Sequence, residues 1–181
     1  MSIYFEKPQK HPIDTSNWKM FRVGDLFEIT GTKTTKHKET FDKSETNCYP
    51  YITTAATNNG CCGWTNIWTE KGNVLTVDSA VLGKVFYQPN NFTASDHVEK
   101  LIPKFEMTKY IAAFLVAILD KNGQNLGYSY AKKRSQKALK SEQIPLPVDS
   151  DGNPDWAWMD KAARDIEERS ILIQAIKQRG K

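Results

Sequence analysis

The sequence is short of the residues that build metal and redox centres. Its three cysteines, Cys48, Cys61 and Cys62, cannot all pair within one chain, and adjacent cysteines hold their Cα atoms too close for ordinary disulfide geometry. The histidines, His11, His37 and His97, are scattered, and none stands two to four residues from a cysteine, so zinc-ligand spacing is missing and no metal is expected. Nucleotide chemistry lacks its marks as well: there is neither a GxGxxG nor a GxxxxGK[ST] run. No Asp or Glu has a lysine two positions later, which disfavours nucleases of the PD-(D/E)xK kind. Adenine methyltransferases need an Asn/Asp-Pro-Pro-aromatic clamp, and the nearest pieces, "GNPDW" and "YQPNN", lack the second proline. Asp78-Ser79 and Ser95-Asp96-His97 stand without a GxSxG elbow, and triads are assembled in space rather than by adjacency, so no catalytic residue is assigned.

Long apolar runs are scarce. The longest, "YIAAFLVAIL" from Tyr110 to Leu119, falls short of the roughly 20 residues that cross a bilayer and reads as a buried helix. The first thirty residues hold no apolar core of a signal peptide, so the expected compartment is the cytoplasm. Neither sign of charge dominates: the net charge is +4, and any nucleic-acid surface must come from local clustering. With 39% hydrophobic and 25% charged residues, the 181-residue chain fits a soluble globular domain with a short appended element.

What is present is order along the chain. Residues 1–17 are polar and proline-containing and read as an extended arm. "WKMFRVGDLFEITGTK" has mixed periodicity around Gly24-Asp25 and predicts a strand, a short turn of helix and a second strand. Gly31 to Asn47 has no apolar periodicity and predicts an exposed loop. "YPYITTAA" returns to strand character before Asn58-Asn59-Gly60, a strong reversal signal because Asn and Gly tolerate positive φ. Core strands are expected around Val74 to Val77 and Val81 to Tyr87, and another at "HVEKLIP". Thr108 to Lys121 predicts a helix capped by Thr108 and ending near Gly123. "AKKRSQKALK" predicts a short basic helix, with Lys133, Lys137 and Lys140 on one face and Ala131, Ser135, Ala138 and Leu139 turned inwards. A turn-rich linker over 149–156 leads to a last helix, 157–181, striped by Met159, Ala163, Ile166, Ser170, Ile173 and Ile176. Such a helix alone is marginal in water and must pack on something.

The chemistry on offer suits a polyanion. Lys132, Lys133, Arg134 and Lys137 of the basic segment could lie along phosphates, as could Lys33, Lys36, His37 and Lys38, where Thr35 and its neighbouring threonines add hydroxyls. Lys84 joins this set. Each cluster could equally be a solvated basic face. Asn58 and Asn59, set on a hairpin, could make paired hydrogen bonds to adenine, although turn geometry alone also explains them.

The order of these segments, "WKMFRVGDLFEITGTK", "PYITTAATNNGCCGW", "GNVLTVDSAVLGKVFYQPNNFTASDHVEKLI", the apolar helix, "YSYAKKRSQKALKSEQIPLP" and "DGNPDWAWMD", resembles the target recognition domain of restriction-modification DNA specificity subunits, type I and related combined systems. The likeness covers Trp18 to Asp160. It implies a mixed α/β (α+β) fold, with a small mixed or antiparallel sheet and a buried helix over residues 18–148, followed by a helix for pairing. It further implies a non-catalytic subunit that reads half of a bipartite site on double-stranded DNA. S-adenosylmethionine would belong to a partner DNA methyltransferase subunit, and cleavage, where it occurs, to a restriction subunit. Full-length members resemble two such domains joined by two long helices, so this chain looks like a half-sized subunit. It would form a homodimer through Ile166, Ile173 and Ile176. The resemblance leaves Cys61 and Cys62 as incidental small residues at a hairpin. Two other readings stand beside it: a non-catalytic protein that docks on a methyltransferase or another protein, and a metal-dependent nuclease using Asp78 or Asp96.

Overall fold

The computed structural model describes residues 13–34, 40 and 48–179, with side chains to residue 171. In chain order the elements are β1 (Lys19–Arg22), α1 (Val23–Leu26), β2 (Phe27–Gly31), β3 (Tyr49–Ile52), β4 (Cys61–Thr65), β5 (Val74–Asp78), β6 (Val85–Gln88), β7 (Thr93–Ala94), β8 (Val98–Pro103), α2 (Lys109–Leu126), α3 (Gln136–Ser141), β9 (Gln143–Leu146) and α4 (Trp156–Arg179). The strand, helical turn and strand expected at Trp18 onward are β1, α1 and β2. The strands form three small sheets: an antiparallel four-stranded one ordered β2-β8-β5-β6, a mixed one ordered β4-β3-β7, and the pair β1-β9. No described helix is long and apolar enough to cross a membrane.

The four-stranded sheet carries the core because β5 is buried along its whole length and α2 lies against it. Along α2, Ile111, Ala112, Leu115, Leu119 and Gly123 recur at three- and four-residue steps and are buried, while Ala113 and Ala117 face out. Thr108 caps the helix, its hydroxyl accepting from the Ile111 amide at 3.2 Å. The helix runs through Gly123 and stops at Gly127, whose φ of 68° ends it in the left-handed conformation. Gly123 is therefore an interior residue of the helix, and its reason lies elsewhere in the core.

The second of the two expected core strands begins later than its apolar run. Val81 and Leu82 lie in the connection before β6 and are exposed. The Asn58-Asn59-Gly60 reversal joins β3 to β4 as a short 3-10 turn, with φ of 51°, 55° and 76° in succession. All three cysteines are free; Cys61 donates its thiol to the Gly63 carbonyl and Cys62 lies on the surface, 3.1 Å from the Thr53 hydroxyl.

Between β9 and α4 the chain makes a closed turn. The Asp149 carboxylate accepts from the amides of Asp151 and Asn153, and Asp155 donates its amide to the Pro147 carbonyl. The start of α4 is part of the core: Met159 is fully buried, and Trp156 stacks on Phe105 with ring centroids 3.8 Å apart. Trp158 meets Phe114 and Trp18 edge-on, and α4 then follows α2. From Ile166 to Ile171 every residue is exposed.

Candidate nucleic-acid interface

Strand register gathers four connections at one end of the main sheet. Gly31, the last residue of β2, pairs with Glu99 near the start of β8, and Asp78, the last of β5, pairs with Val98. Val85, the first of β6, pairs with Val77. The chain leaving β2, the β5-β6 loop, the β7-β8 loop and the first turn of α3 therefore share that end, the last because Gln136 donates to Glu99 at 2.8 Å.

Each connection is built rigidly. After β2, the Thr32 hydroxyl lies within hydrogen-bond reach of the carbonyls of Ser95 and Val98, and the Lys33 amide donates to buried Glu70 at 2.6 Å. Glu70 also takes the Lys100 ammonium, so one carboxylate fixes both a strand and the root of a loop. Lys33 itself is exposed. Thr35, Lys36, His37 and Lys38 lie outside the described residues, but Thr34, which leads into them, bridges Ala94. In the β5-β6 loop, buried Asp78 accepts from four successive amides: Ala80 and Val81 on Oδ1, Leu82 and Gly83 on Oδ2, at 2.7 to 3.3 Å. Ser79 fastens this loop to its neighbour, donating through both its amide and hydroxyl to the His97 carbonyl. With its oxygens so engaged, Asp78 has little left for a metal. Among the described residues no three His, Cys, Asp or Glu side chains are placed to hold one.

The basic segment differs from its expected form. Ser135 caps α3, its hydroxyl facing the Ala138 amide, so the helix starts only at Gln136, and Lys132, Lys133 and Arg134 precede it. Ser129 and Lys132 exchange backbone hydrogen bonds in a tight turn that puts Tyr130 at the tip, 78% exposed. Lys133 sits over the Tyr130 ring and Lys132 over that of Tyr128, while Lys132 also donates to the Leu126 carbonyl. Lys133 does not share a helix face with Lys137 and Lys140, because it lies before the cap; those two stand three residues apart on α3, and the Lys140 carbonyl lies against Gly24. Leu139 turns inwards as expected and Ala138 half does, but Ala131 and Ser135 are exposed.

Arg134 is the largest correction. It is 1% exposed and cannot meet a phosphate. Its guanidinium forks onto Glu142 and donates to the carbonyls of Gly83 at 2.7 Å and Leu119 at 3.0 Å. It thereby ties the β5-β6 loop and the Tyr130 turn to the core. Tyr128, donating to the same Glu142, has its hydroxyl pushed up to about 12, first by burial and then by the Glu142 charge.

Lys84 is also committed inwards, its ammonium 2.7 Å from Asp120 on α2. Asn59 gives its amide to the Tyr87 carbonyl and to Gln88, which uses both N–H groups and leaves no donor for a paired contact with adenine. Asn58 donates to the Cys61 carbonyl, closing its own turn. These asparagines sit along the outer edge of β6 and hold the turn there. Of the expected pairing residues, Ile166 is 62% exposed, and the side chains of Ile173 and Ile176 lie outside the described residues.

The structure thus sets Lys33, Lys132, Lys133 and Lys137, all exposed, on connections at one end of the sheet, Lys33 about a hundred residues from the other three in sequence. The sequence reading missed Val81, Leu82 and Tyr130 on that surface. An Asp-Ser pair followed within five residues by a glycine, "DSAVLG", is the signal of a side-chain-capped loop that could have flagged the first two.

Comparison with known proteins agrees with this architecture. The chain is 27% identical over 160 residues to the Type II restriction enzyme BgcI specificity subunit S.BcgI of Heyndrickxia coagulans, covering 86% of this chain and 45% of that protein. The chain spans less than half the length of this curated relative. Its fold matches the crystal structure of the type I restriction-modification S subunit from M. genitalium, with a TM-score of 0.64 and 14% identity over 91% of this chain and 42% of that one. It also matches the HsdS subunit from Thermoanaerobacter tengcongensis, with a TM-score of 0.58 and 12% identity over 93% of this chain and 42% of that one. The family model for the type I restriction modification DNA specificity domain matches residues 15–178, nearly the whole chain, and the protein belongs to that family.

Proposed function

We propose that this chain is the non-catalytic DNA-recognition subunit of a restriction-modification system, reading half of a bipartite site and presenting it to a methyltransferase subunit. The observation that supports this most directly is the placing of exposed Lys33, Lys132, Lys133 and Lys137 on connections at one end of the sheet. Rigid loops carrying exposed cations suit a phosphate backbone, and the net charge of the chain alone would not supply this attraction. S-adenosylmethionine chemistry is assigned to the methyltransferase, and cleavage to a restriction subunit where the system has one.

Pairing is assigned to α4. Beyond its buried start it shows Ile166 and Ile171 to solvent at 62% and 60%, with Glu167 between them still paired to Lys109 of α2, and Ile173 and Ile176 follow Ile166 along the apolar stripe in sequence. Isolated helices are unstable in water and exposed apolar stripes seek partners. Two copies paired this way would read a symmetric interrupted site.

The test is selection from a randomised duplex pool by the full chain, alone and with the methyltransferase subunit encoded beside it. A symmetric, interrupted motif is expected. Enrichment of nothing in either condition would overturn the assignment and leave a protein-docking role.

A further inference from the structure

The β5-β6 loop combines features that phosphate binding does not require. Val81 and Leu82 form its tip and are 42% and 51% exposed, two adjacent apolar side chains in water. The loop beneath them is held by the four amide bonds to Asp78, by Ser79 on the His97 carbonyl, and by Arg134 on the Gly83 carbonyl. Its base is closed by Gly83 at φ 67°, where an added Cβ would come within 3.1 to 3.2 Å of Tyr128 and Arg134. Those contacts join the tip to the turn that carries Tyr130, Lys132 and Lys133.

From this arrangement we infer that Leu82, backed by Val81, is a wedge that inserts at a base step of the DNA while Lys132 and Lys133 hold the flanking phosphates. The inference rests on the DNA-recognition reading and deepens it. Proteins that kink or unstack duplexes do so with one or two apolar side chains among cations. A wedge must also resist being folded back as it parts stacked bases, and a loop whose amides converge on one buried carboxylate is braced for that load. The competing occupant, a protein surface, fits less well. A stable interface needs on the order of 1,000 Å² or more, and two exposed side chains are a small fraction of that. Such a wedge reads sequence through the ease of unstacking, so it would favour a flexible pyrimidine-purine step.

The experiment uses the full chain, with the methyltransferase subunit, on the duplex recovered by selection, carrying a fluorescent adenine analogue at each purine position in turn. Wild-type protein should brighten the analogue at one step beside the recognised bases. Leu82→Ser should abolish that signal and weaken specific binding about tenfold, the size of one lost base-pair contact, with an unchanged salt slope. Leu82→Phe should keep it. Because Leu82 is exposed, these variants should fold. If no position brightens with wild-type protein, or Leu82→Ser brightens it equally, the wedge is overturned while DNA recognition stands. Loss of methyltransferase association by Leu82→Ser, with DNA binding intact, would overturn it in favour of a protein contact. Failure of the selection itself would remove the DNA-recognition reading and the wedge together.

Discussion

The Cβ that Gly123 lacks would stand 2.8 Å from Nη1 of Arg134. A glycine inside a helix costs about 1 kcal/mol relative to alanine, so its place in the middle of the last turns of α2 needs a compensating reason. The buried guanidinium is that reason. The tip of an arginine can usually swing away, but this one is fixed by Glu142, Gly83 and Leu119. Gly123→Ala should therefore destabilise the protein by about 1–2 kcal/mol, overpacking outweighing the gain in helix propensity. Urea unfolding would measure it, and the same change in an Arg134→Ala background should become stabilising.

Breaking the buried pair should be far more costly. Arg134→Met alone, or Glu142→Leu alone, leaves an uncompensated charge and should cost about 3–5 kcal/mol. The double variant should recover most of this but not all, since Tyr128 and Asn122 also donate to Glu142 and would lose their acceptor. A double-mutant cycle read by chemical denaturation checks both statements; equal additive losses would contradict them.

The exposed lysines should behave in the opposite way. Lys133→Glu with Lys137→Glu should leave the melting temperature nearly unchanged and weaken binding to all DNA sequences alike. The slope of log affinity against log salt should fall by about 2, close to one unit for each phosphate contact removed. Titrations at several salt concentrations provide the measurement, and an unchanged slope would remove these residues from the interface.

Asp160 gives a pH dependence. Its carboxylate accepts from the Thr108 hydroxyl and from Arg164, and these bonds hold it below its ordinary value of 3.8. Folding therefore gains stability from Asp160 that is complete above that value and lost as pH falls through the lowered one. Asp160→Asn should be less stable than wild type at neutral pH, and the difference should shrink as pH drops below about 4. Unfolding followed by tryptophan emission would report it, because Trp156 and Trp158 anchor the same end of α4.

Local signals were legible wherever local physics decides. Thr108 before an apolar run, Asn58-Asn59-Gly60 between two strands, and the Gly24-Asp25 break between two short ones each fold as their own chemistry dictates. The basic segment was not legible, because a stretch with five cations looks the same whether one of them is buried or none is. What singles out Arg134 is Glu142, eight residues on, together with a glycine on α2 that only the folded chain brings near. Ser135 carried a usable hint: as a cap it forces the helix to begin after Arg134. Lys84 and Asn59 were misplaced for a related reason, since Asp120 and the Tyr87 carbonyl are partners from distant segments. The gathering of Lys33 with Lys133 depended on strand register, which no single segment specifies.

Asp78 has one more implication. Because its carboxylate binds the backbone amides of residues 80 to 83, the shape of that loop is written outside the two side chains it displays. Positions 81 and 82 can therefore exchange one residue for another without renegotiating the fold, so this part of the surface can acquire new preferences by point substitution while the scaffold beneath it stays constant.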